Sequence, residues 1–331
     1  MNQIPIIKNN RSPQEIITLI RLFFDRMQIR LTEYQSHENL LDSYAVHLLP
    51  VHSSSTGFSG TGQTAAAARA GAYLKCVCDL CTQPDLPFYS LRTKTISYCN
   101  NPSEIATCAG SSPAEALVQG ISELFSRKAA ACRQELSAAP EMPDSVLNDY
   151  PDVRRMYRLL KEQYGDSTRL YDISGSGIQF TAALRLSDPQ SGESDFTYSM
   201  HPDPSTAISR LLINAIHGSH FAHALYYSGY SRKDDPQRLI QALLRQGYDL
   251  RISDCSCAGM YVYQIMIPEL TAFLQKTPQV KPITHTLAFH AAVQRCREFR
   301  SAHPLNPAES LADLAALRPE EGSGFVPKKI C

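Results

Sequence analysis

Net charge of either sign is absent from this chain: Lys plus Arg and Asp plus Glu each number 32. That balance excludes a bulk field drawing the protein to nucleic acid or an anionic membrane, so any charged binding patch has to be local. Long apolar runs are missing as well. The longest, such as Ile265 to Pro268 and Leu211 to Ile213, fall far short of the ~20 residues needed to span a bilayer. The opening stretch MNQIPIIKNNRSPQEI has no charged head, long apolar segment or small-residue cleavage site, so it does not read as a secretory signal. A soluble, cytoplasmic protein is expected. Neither a Gly-x-x-x-x-Gly-Lys-Ser/Thr loop nor a Gly-x-Gly-x-x-Gly element occurs, which removes the P-loop and Rossmann readings.

What is present can build a large core: 331 residues, 43% of them hydrophobic. Ser12-Pro13-Gln14-Glu15 is a helix start with a capping box, and Ile16, Ile17, Leu19, Ile20, Phe23 and Phe24 predict an amphipathic helix running to about Met27. Tyr44 to Pro50 reads as a strand, Ser53 to Gly62 as a Ser/Gly-rich loop, and Thr64 to Leu80 as alanine-rich helix. A turn-rich stretch from Thr82 to Pro87 precedes a helix from Ser112 to about Glu135, and Ala138 to Pro143 reads as a mobile connection. Strands are predicted at Ile178 to Leu186, Phe196 to Met200 and Tyr261 to Ile267, and helices at Asp203 to Tyr227 and Pro236 to Gln246. This alternation points to α/β or α+β layering.

Ten cysteines at irregular spacings read first as free, buried, small apolar residues in a reducing compartment. Cys76-x-Cys78-x-x-Cys81, with Cys255-x-Cys257, leaves a zinc or thiol-redox alternative open. On a helix, however, only Cys78 and Cys81 of the first three share a face. His217, His220 and His223 recur every third residue and read as core or surface histidines.

The most informative feature is a threefold internal repeat. TAAAARAGAYLKCVCD from Thr64, SPAEALVQGISELFSR from Ser112 and DPSTAISRLLINAIHG from Asp203 align without gaps. Each opens on an N-cap residue, and Ala68, Ala116 and Ala207 coincide. The positions one turn apart further along are Lys75 with Cys78, Glu123 with Ser126, and Asn214 with His217. Three helices holding a polyphosphate and its magnesium ions would carry carboxylates there. Only Glu123 supplies one, and Lys75 places a positive charge where a cation would sit.

Ser59-Gly60-Thr61-Gly62-Gln63-Thr64, followed by Ala68-Arg69-Ala70-Gly71-Ala72, resembles the Ser-Gly-Lys-Gly-x-Thr signature and small-residue ladder of YcaO proteins. The motif Lys is Thr61 here, its two Glu are Lys75 and Cys78, and its Arg is Asp79. Cys108-Ala109-Gly110-Ser111-Ser112 through Glu115-Ala116 to Arg127 is similar to the family's second motif, keeping Glu123 and Arg127 but with Ser126 for a Glu. His201-Pro202-Asp203-Pro204 with Ala207 and Arg210 resembles the third, with Asn214 and His217 in place of Glu and Gln. Asp254-Cys255-Ser256 and His303-Pro304 extend the likeness over about residues 38 to 305.

The resemblance implies the YcaO α/β (α+β) fold, helices packed on mixed sheets, with three equivalent motif helices around one concave site. It implies an N-terminal helical section over 1–37, a YcaO-like domain over 38–305 and a tail over 306–331. YcaO enzymes use ATP and Mg2+ to activate peptide backbone amides in ribosomal peptide natural-product pathways. The degenerate nucleotide-site positions are then Ser59, Gly60, Gly62, Thr64, Lys75, Cys78, Glu123, Ser126, Arg127, Arg210, Asn214 and His217. The expectation is a non-catalytic or altered paralogue with no cofactor, binding a peptide substrate, a leader peptide or a partner biosynthetic protein. A homodimer is compatible with the sequence, and no nucleic-acid or membrane partner is expected. The alternative is an active ATP- and Mg2+-dependent cyclodehydratase or thioamide-forming enzyme. Lys75 is expected to pair with Glu123 across the site.

Overall fold

The computed structural model describes residues 11–51, 57–82, 86–99, 101–131, 140–143, 145–174, 179–187, 194–217, 225–227, 236–257 and 259–274, together with 291, 293–295 and 298. The predicted helix start holds. Helix α1 (Pro13–Arg26) opens with a complete capping box, the Ser12 hydroxyl accepting from the Glu15 amide while the Glu15 carboxylate accepts from the Ser12 amide. Its buried stripe of Ile16, Ile17, Ile20, Phe23 and Phe24 packs on the next helix.

Three sheets alternate with three helices. The first sheet has the order β1-β2-β3-β10, from β1 (Leu31–Glu38), β2 (Ser43–Pro50), β3 (Phe58–Gly62) and β10 (Leu225–Tyr226). The second runs β5-β4-β11-β12-β6, from β4 (Pro87–Ser90), β5 (Ile96–Tyr98), β6 (Ile105–Gly110), β11 (Arg251–Asp254) and β12 (Tyr261–Met266). The third is the antiparallel set β7 (Arg169–Asp172), β8 (Phe180–Ser187) and β9 (Ser194–His201).

Helix α2 (Ala65–Cys81) lies between the first two sheets: Val46, Leu48 and Phe58 meet it from one side, Ala109, Cys255 and Val262 from the other. Helix α3 (Pro113–Ala131) lies between the second and third, touching Cys108, Tyr263 and Ile265 on one side and Met200 on the other. Helix α4 (Pro151–Tyr164) and helix α5 (Pro204–Ile216) cover the remaining face of the third sheet through Leu160, Leu170, Leu184, Ile208 and Leu212. Each side chain removed fully from water in these layers contributes about 2 kcal/mol. Helix α6 (Pro236–Arg245) adds Leu239, Ile240 and Leu243 beside α3, and the short α7 (Thr271–Leu274) follows β12. No helix among the described residues is long and apolar enough to cross a membrane.

Several expectations are corrected. Ser59 to Gly62 belong to a strand, not a loop, because Gly60 must lie flat on α2: a Cβ there would meet the Ala68 carbonyl oxygen and the Ala72 nitrogen, both at 2.2 Å. Residues 52–56 of that predicted loop lie outside the described residues. Within the predicted turn-rich stretch, Pro87 begins β4. The helix predicted from Asp203 to Tyr227 ends at Ile216, and Leu225 and Tyr226 instead pair in parallel with Gly60 and Thr61. Around Pro140 to Pro143 the chain is held: the Met142 amide donates to the Leu170 carbonyl at 2.8 Å, and the Met142 side chain is buried. His220, His223, His303, Pro304, 132–139 and the tail lie outside the described residues.

Candidate functional site

The three repeat helices start as their caps dictate. Thr64 Oγ1 accepts from the Ala67 amide at 3.1 Å, Ser112 Oγ from the Glu115 amide at 3.2 Å, and an Asp203 carboxylate oxygen from the Thr206 amide at 3.1 Å. The layering turns these helices toward one another, and charged side chains gather where they meet. Glu123 Oε1 takes a hydrogen bond from Arg127 Nε one turn below at 3.0 Å, and its Oε2 lies 3.6 Å from Arg210 Nη2 on α5. On α2, Lys75 Nζ lies 3.5 Å from Asp79 Oδ1 and within electrostatic reach of Glu123. Glu123, Arg127, Arg210, Lys75 and Asp79 keep 16–35% of their side-chain surface exposed. Their helix neighbours Leu74, Ile121, Leu124 and Leu211 are at 0–1%. Charges that reach water between fully buried neighbours describe a cleft.

The electrostatics of the cleft are internally settled. Burial pushes the Glu123 carboxyl up, but the charges of Arg127, Arg210 and Lys75 together override it and hold the group at about 2. Asp79 raises the Lys75 ammonium above its ordinary value against the pull of burial. Burial pushes the Cys78 thiol up to about 12 despite the neighbouring Lys75, so Cys78 rests as a neutral thiol. Lys75 is thus bonded to Asp79 and not, as expected, to Glu123, because the i,i+4 partner lies on its own helix.

The remaining predicted positions are engaged by the first sheet. Asn214 Oδ1 accepts from Thr61 Oγ1 at 2.7 Å, and His217 Nε2 sits 3.1 Å from Ser43 Oγ. His217 is also the residue on which α5 ends. Ser59 Oγ lies 2.7 Å from His47 Nδ1. Gly60 and Gly62 face α2 closely, a Cβ on Gly62 meeting Ala67 Cβ at 2.8 Å. Ser126 Oγ is buried with no hydrogen-bond partner among the described residues. Behind the cleft, burial and the Arg210 charge depress the His201 imidazole to about 4, and its Nδ1 accepts from the Asp203 amide at 3.0 Å. Asp79 and Thr61, which the sequence showed only as departures from the motif, were not among the expected site positions. The Lys75-x-x-x-Asp79 spacing was the available signal for the first.

Among the described residues no group of three or more His, Cys, Asp or Glu side chains is arranged to hold a metal ion. The expectation that the cysteines are free also needs correction: Cys81 at the end of α2 is joined to Cys257 by a disulfide, while Cys76, Cys78, Cys99, Cys108 and Cys255 are buried.

Residues 99–225 match the family described as YcaO cyclodehydratase, ATP- and Mg2+-binding. Over this region the chain is similar to the YcaO family. The matched region carries α3 and α5 with their caps, and the YcaO fold extends beyond it. A YcaO structure from Methanopyrus kandleri bound with AMPPCP and Mg2+ superposes with a TM-score of 0.60 at 12% identity, covering 83% of this chain and 96% of that one. A heterocyclase in complex with substrate and cofactor superposes with a TM-score of 0.58, also at 12% identity, over 79% of this chain and 52% of that one. An uncharacterized protein from Haemophilus influenzae (strain ATCC 51907 / DSM 11121 / KW20 / Rd) is 30% identical over 111 residues. That match spans 33% of this chain and only 19% of the relative.

The ATP and Mg2+ that the family implies can be weighed against the residues present. A hard divalent cation takes several oxygen ligands, mostly carboxylates. The repeat positions offer Lys75, Cys78, Ser126, Asn214 and His217 beside Glu123, which is already shared by two guanidinium groups. The donor set does not fit magnesium.

Proposed function

We propose that this chain is a binding member of the YcaO family, holding a peptide, a leader peptide or a partner enzyme of a peptide-backbone modification pathway, and that its cleft does not carry out magnesium-dependent phosphoryl transfer. One observation carries this reading: the surviving carboxylate of the repeat positions, Glu123, is neutralised by Arg127 and Arg210 with Lys75 close by. Protein cations occupy the electrostatic place of the metal. Phosphoryl transfer depends on metal ions to neutralise charge developing on the phosphate oxygens. The peptide side of the proposal draws on the heterocyclase of like fold that was solved with its substrate.

One feature favours the alternative, an ATP-dependent enzyme acting on peptide amides. Arg127 and Arg210 are partly exposed guanidinium groups in one cleft and could hold phosphate oxygens as bidentate donors. Thermal unfolding of the full chain with ATP, with and without Mg2+, separates the two readings. A ligand present at a hundredfold its dissociation constant stabilises by about 2.7 kcal/mol, which raises the midpoint by several degrees. The binding-protein reading expects no such rise with magnesium-ATP, and a rise that depends on Mg2+ overturns it. Co-purification from the native host then identifies the peptide or protein partner.

A further inference from the structure

The sulfurs around the end of α2 are not accounted for by either functional reading. Cys78 and Cys81 lie one turn apart on α2, and Cys255 and Cys257 lie two residues apart where the chain leaves β11. Cys81 and Cys257 are bonded across this gap. We propose that the Cys81–Cys257 disulfide is a reversible thiol-exchange site that clamps the end of α2, and with it the α2 wall of the cleft, to the turn between β11 and β12.

Three observations support exchange over a permanently sealed bond. The first is access: Cys81 is fully buried, but Cys257 is partly exposed, so an incoming thiolate can reach one of the two sulfurs. The second is that both partners are positioned without the bond. Cys257 sits in a tight turn closed by two backbone hydrogen bonds with Met260, at 3.1 and 2.8 Å, with Gly259 supplying the positive φ of 69°. Cys81 is held by α2, whose end is fixed by Thr82: its amide and its hydroxyl both donate to the Cys78 carbonyl, at 2.9 and 2.7 Å. Reduction therefore loosens the end of α2 while these local bonds keep the two sulfurs near enough to re-oxidise. The third is position: the bonded turn of α2 also carries Asp79, the partner of Lys75, and Cys78. The bond acts where the cleft acquires its α2 charges.

The chemistry balances with an external dithiol as reductant. Its thiolate attacks Cys257 Sγ, the Cys81–Cys257 bond breaks, and Cys81 leaves as thiolate and takes up a proton. The second thiol of the reductant then attacks the mixed disulfide and releases Cys257. Two electrons pass to the protein, leaving two thiols, and the dithiol becomes a disulfide. A bond of this kind in a reducing compartment is expected to be transient and responsive.

The test uses the full-length chain oxidised with diamide and then treated with dithiothreitol under native conditions. Peptide mapping should find Cys81 linked to Cys257 before treatment and both alkylated after it. Amide exchange over residues 78–82 should rise several-fold on reduction in the wild type and not change with reductant in Cys257→Ser. The variant alters the partly exposed partner, and the wild-type comparison needs no variant at all. Finding both cysteines alkylated after diamide overturns the proposal, as does a bond that dithiothreitol leaves intact in the folded protein. Unchanged exchange at the end of α2 on reduction overturns the clamp.

Discussion

Helices α2 and α3 hold equivalent places in the layering, each capped by a hydroxyl residue and each pressed between two sheets, yet they have diverged in opposite ways. Helix α2 is small-faced: Ala68, Ala70, Gly71 and Ala72 let the first sheet approach until the backbone of β3 nearly touches it. Helix α3 meets its neighbours through larger side chains and carries Glu123 and Arg127. Of these two helices, the more tightly fitted one thus has no carboxylate at its repeat positions, Lys75 and Cys78. The chemistry of a motif position and the packing of its helix vary independently, so a fold can persist after its site has changed.

The comparison is most severely tested by alanine at one glycine in the packing of each helix, Gly60 on β3 against α2 and Gly120 on α3. Gly60→Ala drives a Cβ into α2 backbone at 2.2 Å and should cost about 3 kcal/mol or more, because backbone cannot step aside. Gly120→Ala on α3 meets the Cys108 sulfur at 2.5 Å and the Ile265 methyl end at 2.7 Å, and should cost about 1–2 kcal/mol. Urea denaturation measures both. Equal costs would show that α2 can retreat from the first sheet.

The ion pairs provide the next contrast. Glu123→Gln leaves Arg127, Arg210 and Lys75 facing one another and should cost about 1–2 kcal/mol at neutral pH, after allowance for their partial exposure. Because folding lowers this carboxyl from 4.5 to about 2, its contribution is complete above pH 4.5 and is lost as pH falls toward 2. The variant should lack that acid-dependent loss in melts taken across the window. Lys75→Ala removes only an i,i+4 partner, leaves Glu123 held by two arginines, and should cost about 0.5 kcal/mol in the same assay.

A comparably small effect belongs to His201. Its folded value is lowered from 6.5 to about 4, so the neutral ring is the folded form, and stability declines as pH falls below 6.5. Between pH 7 and pH 6 the loss should stay under about 1 kcal/mol. His201→Asn should flatten that slope.

Much of this was legible in the sequence. The capping box of α1, the three repeat caps and the strands around Tyr44, Phe196 and Tyr261 follow from local rules of side chain and backbone. Strand β6 escaped because IATCAG is covered on both faces and so shows no alternation. Reading Ser59 to Gly62 as a loop took their glycines as signs of freedom, when they mark close approach to a helix. In the cleft, the repeat register singled out Lys75, Glu123, Arg127 and Arg210, and their mutual distances are set by the layering. The choice of Asp79 over Glu123 as the partner of Lys75, and the pairing of Cys81 with Cys257, depend on distances that sequence spacing alone does not set.

The parallel pairing of Leu225 and Tyr226 with Gly60 and Thr61 bears on how the chain reaches this state. The outer edge of β3 finds its neighbour only after most of the polypeptide has been made. During synthesis β1, β2 and β3 can form early, leaving an unpaired strand edge available for wrong pairings. Closure of the first sheet is a long-range contact with a large loop-closure cost, and such contacts slow folding. Refolding should therefore show a slow final phase in which β3 gains amide protection together with β10, after the hairpin of β1 and β2 is already protected.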